Sequence, residues 1–141
     1  MRDVARQIAP GMAEEDGLGL IRKALRAQGV VREWHVPRVR FGRNTLKKFG
    51  EPSEPGVVLG RNDVWLVDVG AVWGEWESDF GETFVVGDDP EMHRIVYDVH
   101  EIFDRVRLHW RETRATGEAL YRYAAAEANL RGWQLCPEMV G

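Results

Sequence analysis

One stretch of this sequence constrains the fold more than any other, because it combines a long apolar run with a single carboxylate. The run extends from Val64 to Val72, and Asp68 is its only charged residue. A strand buried on both faces explains such a run. A carboxylate buried alone in such a run costs several kcal/mol or stays protonated.

A second carboxylate follows at a short distance along the chain. Residues 73–75 predict a turn, and residues 76–86 predict a second strand that contains Asp79, eleven positions after Asp68. So short a connection predicts an antiparallel hairpin, on which the two carboxylates repel each other unless a cation lies between them. One divalent metal ion, or two ions that share bridging carboxylates, resolves this conflict. The alternative is that each aspartate pairs with an arginine or caps a neighbouring backbone.

The rest of the chain predicts helices and one further strand. Apolar residues at spacings of three and four indicate helices at about 14–28, 90–111 and 117–131. Alternation over residues 34–41 predicts a strand, in which Pro37 indicates an edge position or a bulge. The predicted fold class is α+β, with an antiparallel sheet covered by helices in a single domain over residues 1–141.

Composition and charge exclude several broad classes. The 44% hydrophobic content argues against a disordered chain, and the formal net charge of −4 argues against nucleic acid as a partner. The local basic residues are interpreted as a solvated strand and loop: Arg38, Arg40, Arg43, Lys47 and Lys48. No apolar stretch reaches the roughly 20 residues of a membrane span, and no signal peptide is evident. We therefore expect no membrane partner and a cytoplasmic location.

The single cysteine, Cys136, excludes an intrachain disulfide and fits a reducing compartment. A catalytic thiol needs a partner base, and no residue near it in the sequence suggests one. We expect Cys136 to be a small buried residue near the C-terminus.

Two motifs resemble the M24 metallopeptidase family, which includes methionine aminopeptidase, aminopeptidase P, prolidase and the non-peptidase creatinase. Residues 67–72 (VDVGAV) and 78–87 (SDFGETFVVG) resemble the family signature. In that signature an aspartate-x-glycine strand is followed, eleven residues after its aspartate, by a second aspartate that leads into a threonine-aromatic-x-x-glycine strand. Residues 9–14 (APGMAE) are similar to the family's proline-glycine-methionine-threonine-glutamate entry to a helix.

This resemblance implies a fold, a reaction and a cofactor. The fold would be the first part of a pita-bread domain, and the reaction would be hydrolysis of an N-terminal peptide bond of the Xaa-Pro type. Asp68 would bind one metal through both oxygens, and Asp79 would bridge two. The resemblance implies divalent manganese, cobalt, iron or zinc, two per site, which activate water and stabilise the tetrahedral intermediate.

The chain also departs from the family pattern. The family's other ligands, one histidine and two glutamates, lie in its C-terminal half, whereas this sequence ends soon after a matching Gly132-Trp133 pair. The peptidases carry a histidine about seventeen residues before the first aspartate, where this chain has Glu51, and an arginine where it has Glu82. The resemblance therefore implies a C-terminally truncated member. We expect it to be inactive or nearly so by itself, with an exposed apolar surface that favours a homodimer.

Histidines and tryptophans provide the remaining candidates. His35, on the predicted strand, could replace the missing histidine as a catalytic residue; the alternative is a ring satisfied by local hydrogen bonds. Trp73 and Trp76 flank the predicted turn and either line a substrate pocket or pack locally. Three further histidines are expected to be solvated or partly buried on a helix: His93, His100 and His109.

Two other functions remain open at this stage. A member of the family that has lost its metals would be a non-catalytic module that binds peptides or proteins. Creatinase-like chemistry on a small amidine or carboxylate is also compatible with the residues. A stoichiometric metal would favour the enzyme, for which a peptide is the expected partner.

Overall fold

The computed structural model describes residues 2–135, which divide into two compact units at the boundary between Asp89 and Pro90. The boundary coincides with the start of the helix predicted from residue 90. Cys136 and the residues after it lie outside the described part of the chain, so the prediction for that cysteine stays a prediction.

The first unit contains two helices and two small antiparallel sheets. Its helices are α1 (Arg2–Ala5) and α2 (Glu14–Ala27), and a 3-10 helix covers Gly42–Leu46. Its strands are β1 (Arg32–Glu33), β2 (Arg38–Phe41), β3 (Asp63–Val69), β4 (Ala71–Trp73), β5 (Trp76–Glu77) and β6 (Phe80–Val86). One sheet has the order β2-β3-β6 and the other β1-β4-β5.

The predicted hairpin forms, but it is not continuous. β3 pairs with β6 and β4 pairs with β5 in the same antiparallel register. Between these pairs the ladder is interrupted at Gly70 on one side and at Ser78 and Asp79 on the other. Asp79 therefore lies outside the strands, contrary to the prediction, because the chain passes from one sheet to the other at this point.

The prediction that the apolar run is buried on both faces is also wrong. Along β3 buried residues alternate with partly exposed ones: Trp65, Val67 and Val69 are buried, whereas Asp68 is only partly so. Side chains on a strand alternate between faces. The sheet thus has one closed face and one open face, and Asp68 is on the open one.

The strand predicted over residues 34–41 is two short strands instead. β1 ends at Glu33 and pairs with β4, whereas β2 begins at Arg38 and pairs with β3. Pro37 lacks the N–H that a continuous ladder requires, and the segment 34–37 crosses between the sheets. The Trp34 N–H donates to the Gly70 carbonyl at 3.0 Å, which places the crossing beside the break in the hairpin.

The closed face of the larger sheet packs against α2. Phe41 and Ile21 are fully buried there, and Trp65 stacks on Phe84 with ring centroids 4.2 Å apart. Glu14, at the start of α2, is also buried, and its carboxylate accepts hydrogen bonds from the Phe41 N–H at 2.7 Å and from Asn44. The buried carboxylate is thereby satisfied and joins the helix to the strand.

The basic residues of β2 and the next loop are not uniformly solvated. Arg40 is only 2% exposed, and its guanidinium donates to the carbonyls of Lys47, Lys48 and Glu51. Burial, assisted by Arg38, lowers the pKa of Arg40. The interpretation of this residue as part of a solvated strand was wrong, because its side chain organises the loop.

The second unit is a pair of helices, α3 (Pro90–Thr113) and α4 (Gly117–Leu130). Thr116 caps the start of α4, because its side chain accepts a hydrogen bond from the Ala119 N–H. Asp98 is buried and accepts from the Trp133 indole at 2.7 Å, with Arg131 3.5 Å away.

The three helix histidines lie where expected: His93 and His100 are exposed, and the half-buried His109 stacks on Tyr123. None of the described helices is long and apolar enough to cross a membrane.

Two glycines of α2 provide a test of this packing. A Cβ on Gly17 would lie 2.8 Å from the buried Phe41 ring, whereas a Cβ on Gly19 would meet nothing within 4 Å. We expect Gly19→Ala to raise the free energy of unfolding by about 1 kcal/mol and Gly17→Ala to lower it by about 1–3 kcal/mol through overpacking. Urea unfolding measures both, and equal stability of the two variants would contradict the packing of α2 on β2.

Candidate metal centre

Three side chains with ligand atoms meet where the chain passes between the two sheets. The His35 Nε2 lies 3.5 Å from an Asp68 carboxylate oxygen and 3.9 Å from one of Asp79. One atom from each residue lies within 4.8 Å of the other two, which is the only such grouping in the described part of the chain. The structure thus brings together all three candidate residues named from the sequence.

The strand register explains why the two aspartates meet. Asp68 pairs with Gly81, and extension of the same register places Asp79 opposite Gly70. Residues opposite each other share a face, and so do residues two apart on a strand. The spacing of eleven thus places both carboxylates on the open face as diagonal neighbours.

Gly70 provides the space for the histidine. A Cβ at this position would overlap the His35 ring and would lie 2.5 Å from the Trp34 Nε1. Trp34 contacts the His35 ring edge to face at 4.5 Å, and its indole donates to the Ser78 carbonyl at 2.7 Å. The His35 ring can therefore pack against the hairpin at its break because Gly70 has no side chain.

Local hydrogen bonding fixes which nitrogen of His35 faces the carboxylates. The Nδ1 lies 3.1 Å from the Val36 carbonyl oxygen, and because a carbonyl only accepts, the Nδ1 carries a hydrogen. The Nε2 then directs either a proton or a lone pair towards Asp68 and Asp79. A metal-ligating histidine has this arrangement, in which one nitrogen donates to a carbonyl and the other is free to bind. The local bond and a role at the cluster are thus compatible.

The main electrostatic cost at the cluster is the partial burial of the Asp68 carboxylate. Burial raises the pKa of Asp68, and the Asp79 carboxylate raises it further, whereas His35, Arg38 and Arg40 act in the opposite direction. Among residues 2–135 no arginine or lysine lies within 4.0 Å of either carboxylate, since His35 is the only ion-pair partner of both. The alternative in which each aspartate pairs with an arginine is therefore not found in this part of the chain.

The other residues singled out from the sequence lie elsewhere. Glu82 pairs with Val67 and so shares the closed face, opposite to that of Asp68. Trp73 donates to the Gln28 carbonyl and lines an apolar cavity of about 250 Å³, which also lies on the Val69 side of β3, whereas Trp76 is exposed. Neither tryptophan belongs to the cluster of ligand atoms.

Two contributors to the site were not recognised from the sequence. Phe49 lies against the His35 ring, with centroids 5.9 Å apart, and Arg38 stacks over Phe49 at 4.5 Å. Arg38 is also the residue of β2 directly opposite Asp68. The alternation of the predicted strand put Arg38 and Arg40 on one face, but the pairing of that strand with β3 was needed to show that this is the face of Asp68.

The model of metallopeptidase family M24 matches residues 1–141 of the chain. No curated protein gives a significant match to the sequence.

Several solved structures are similar in fold. The X-Pro aminopeptidase of Thermotoga maritima MSB8 is 22% identical with a TM-score of 0.74, and the match covers 92% of this chain and 36% of that one. The prolidase of Pyrococcus horikoshii OT3 is 20% identical with a TM-score of 0.71, over 92% and 37% of the two chains. A zinc-substituted Escherichia coli aminopeptidase P in complex with product is 21% identical with a TM-score of 0.63, over 73% and 23%. The chain therefore has part of the pita-bread fold. It spans little more than a third of the length of the X-Pro aminopeptidase and of the prolidase, and less than a quarter of the length of the aminopeptidase P.

Asp68→Asn is expected to stabilise the metal-free protein at neutral pH. Because the pKa of Asp68 is raised in the folded chain, the folded state holds this proton more tightly than the unfolded state. The resulting stabilisation is present below about pH 4 and is lost as the pH rises through the folded pKa. Urea unfolding in EDTA at a series of pH values should therefore show the variant gaining on the wild type above about pH 4. Parallel pH profiles of the two proteins would contradict the prediction.

Proposed function

We propose that this chain, which belongs to metallopeptidase family M24, binds a divalent cation through His35, Asp68 and Asp79 for the hydrolysis of peptide bonds. The observation that carries the proposal is the grouping of one nitrogen and two carboxylate oxygens within 4.8 Å. A cation between them removes the repulsion of the two carboxylates and accepts the lone pair of the His35 Nε2.

The residues present fit a metal ion of the first transition series. Two carboxylates and one imidazole suit divalent manganese, cobalt, iron or zinc, and affinity order alone does not select among them. Three protein ligands with an open position are the pattern of a catalytic rather than a structural site. They hold one ion, whereas the pair of ions implied by the family resemblance requires further ligands.

The burial of the three side chains gives the site a closed side and an open side. His35 is 10% exposed and Asp68 27%, whereas Asp79 is 71% exposed. A bound divalent cation supplies a Lewis acid for peptide hydrolysis. The chain itself orients the His35 ring through Trp34 and the Val36 carbonyl, and it leaves the Asp79 side accessible to a peptide.

The names of the similar structures suggest the bond that is cleaved. They are X-Pro aminopeptidases, aminopeptidase P and prolidases, so we infer an Xaa-Pro peptide as substrate. Because the three ligands are fewer than those of the family, the chain by itself should hydrolyse such peptides slowly or not at all. The clustered ligands argue against the non-catalytic binding module, since a module of that kind has no need to hold them together.

Metal binding is the direct test. The full chain, stripped with EDTA and reloaded with Mn²⁺ or Zn²⁺, should hold about one equivalent. It should unfold later as metal is added, with a gain of about 2.7 kcal/mol at a hundredfold excess over Kd. Asp68→Asn, Asp79→Asn and His35→Gln should each weaken the metal at least about tenfold, since each removes one ligand. Gly70→Ala should do the same by displacing His35.

His100→Gln is the matched control, because His100 is exposed on α3 in the second unit. It should leave metal content and unfolding unchanged. Metal binding that survives in Asp68→Asn and His35→Gln alike would contradict the proposed centre. Cleavage of an Xaa-Pro peptide by the chain alone at the rate of a full-length peptidase would contradict the low activity proposed for it.

A further inference from the structure

The outer edge of β6 is an unpaired edge of the larger sheet. β6 pairs with β3 on one side, and in the sheet order β2-β3-β6 it has no neighbouring strand on the other. Within residues 2–135 its outward N–H and C=O groups make no hydrogen bond. An edge of this kind is a template on which a further strand can pair.

The hydrogen-bond pattern of the hairpin shows which residues form this edge. The Ser78 N–H donates to the Ala71 carbonyl at 2.8 Å, and this pair continues the register in which Asp68 lies opposite Gly81. In an antiparallel ladder hydrogen-bonded pairs alternate with pairs that are not hydrogen-bonded. Every second residue of β6, starting at Phe80, therefore bonds to β3. The others direct their N–H and C=O groups outwards: Gly81, Thr83 and Val85.

β6 lacks the features that usually protect an exposed edge, whereas β2 has them. β6 is seven residues long, its sequence FGETFVV contains no proline, lysine or arginine, and each of its residues is at least partly exposed. β2 has only four residues, and its Phe41 N–H donates outwards to the Glu14 carboxylate. Short strands and blocked N–H groups prevent edge pairing. In the described part of the chain the larger sheet thus has one open edge.

We propose that β6 pairs with β6 of a second copy of this chain, so that two three-stranded sheets join into one of six strands. The sequence of β6 suits antiparallel pairing with itself. When the two-fold axis passes between the two Thr83 residues, Gly81 forms hydrogen bonds with Val85 of the second copy. Glu82, the only charged residue of the strand, then faces Phe84 of the second copy. No like charges lie directly opposite each other in this register.

The pairing closes after two copies. Its two-fold axis is perpendicular to the sheet, so each copy uses its one open edge and the two β2 strands become the outer edges. There the Glu14 carboxylate blocks the addition of a third copy. The homodimer expected from the sequence thereby has a defined surface. Both open faces lie on the same side of the six-stranded sheet, and so do the two clusters of His35, Asp68 and Asp79.

Sedimentation equilibrium of the full chain in EDTA, which excludes a metal bridge between copies, measures the pairing. The wild type should form a concentration-dependent dimer and no larger species. Thr83→Lys and Thr83→Glu each place like charges at the two-fold axis, so each should weaken the dimer at least about fivefold. A mixture of the two variants should recover a dimer with one copy of each, detected by native mass spectrometry, because a lysine then faces a glutamate. Thr83→Val adds no charge and should dimerise as the wild type does.

A proline at an outward position tests the backbone hydrogen bonds separately. Val85→Pro removes an N–H that β3 does not use, so the chain should still fold. Each copy loses one donor to its partner, and the dimer should weaken at least about tenfold. Val85→Thr keeps the N–H and the β-branched shape and is the matched control. Circular dichroism and urea unfolding verify that both variants are folded.

Three results would overturn the pairing through β6. One is a wild type that stays monomeric at about 1 mM, where even a weak dimer forms. Another is a dimer that Val85→Pro and both charged variants of Thr83 leave intact, since the contact would then lie elsewhere. The third is a wild type that polymerises, because a polymer requires a second open edge.

Discussion

The close approach of two backbone segments at Gly70 is the constraint on which the rest of the site depends. The hairpin that carries both aspartates breaks at this residue, and the segment that carries His35 crosses from one sheet to the other against it. Any side chain at position 70 would occupy the volume of the Trp34 and His35 rings. A residue without a Cβ thus allows three ligand groups from separate segments to converge.

Local patterns in the sequence were sufficient for the three long helices, for the hairpin and for the choice of the two aspartates. The three long helices begin where the spacing of apolar residues placed them, because this pattern acts within a few residues of the chain. The antiparallel hairpin also followed from a short turn and the alternation of its strands. Its register, in which Trp73 pairs with Trp76, came from the structure, and this register brings Asp68 and Asp79 to one face.

What sequence reasoning missed depends on contacts between distant segments. The burial of Arg40 results from three carbonyls in a loop that only the folded chain places around it. The burial of Glu14 likewise depends on Phe41 and Asn44, about thirty residues away. A charged residue is expected to be solvated unless its partners are known, and the composition of the chain does not indicate those partners. The division into two sheets was missed for the same reason, since it follows from where β1 and β2 find their partners.

The buried Arg40 has a consequence for how a chain like this can change over time. Its side chain joins the loop that contains Phe49 to β2, which packs against α2. The loop beside His35, Asp68 and Asp79 is therefore held by a buried side chain. Loops usually tolerate insertions and substitutions because few contacts restrain them. Here a change in loop length would leave buried N–H groups without acceptors. Changes in the sequence and length of this loop are therefore limited by the stability of the fold. Substitutions that alter what the site binds should be tolerated more readily on its exposed side, near Asp79.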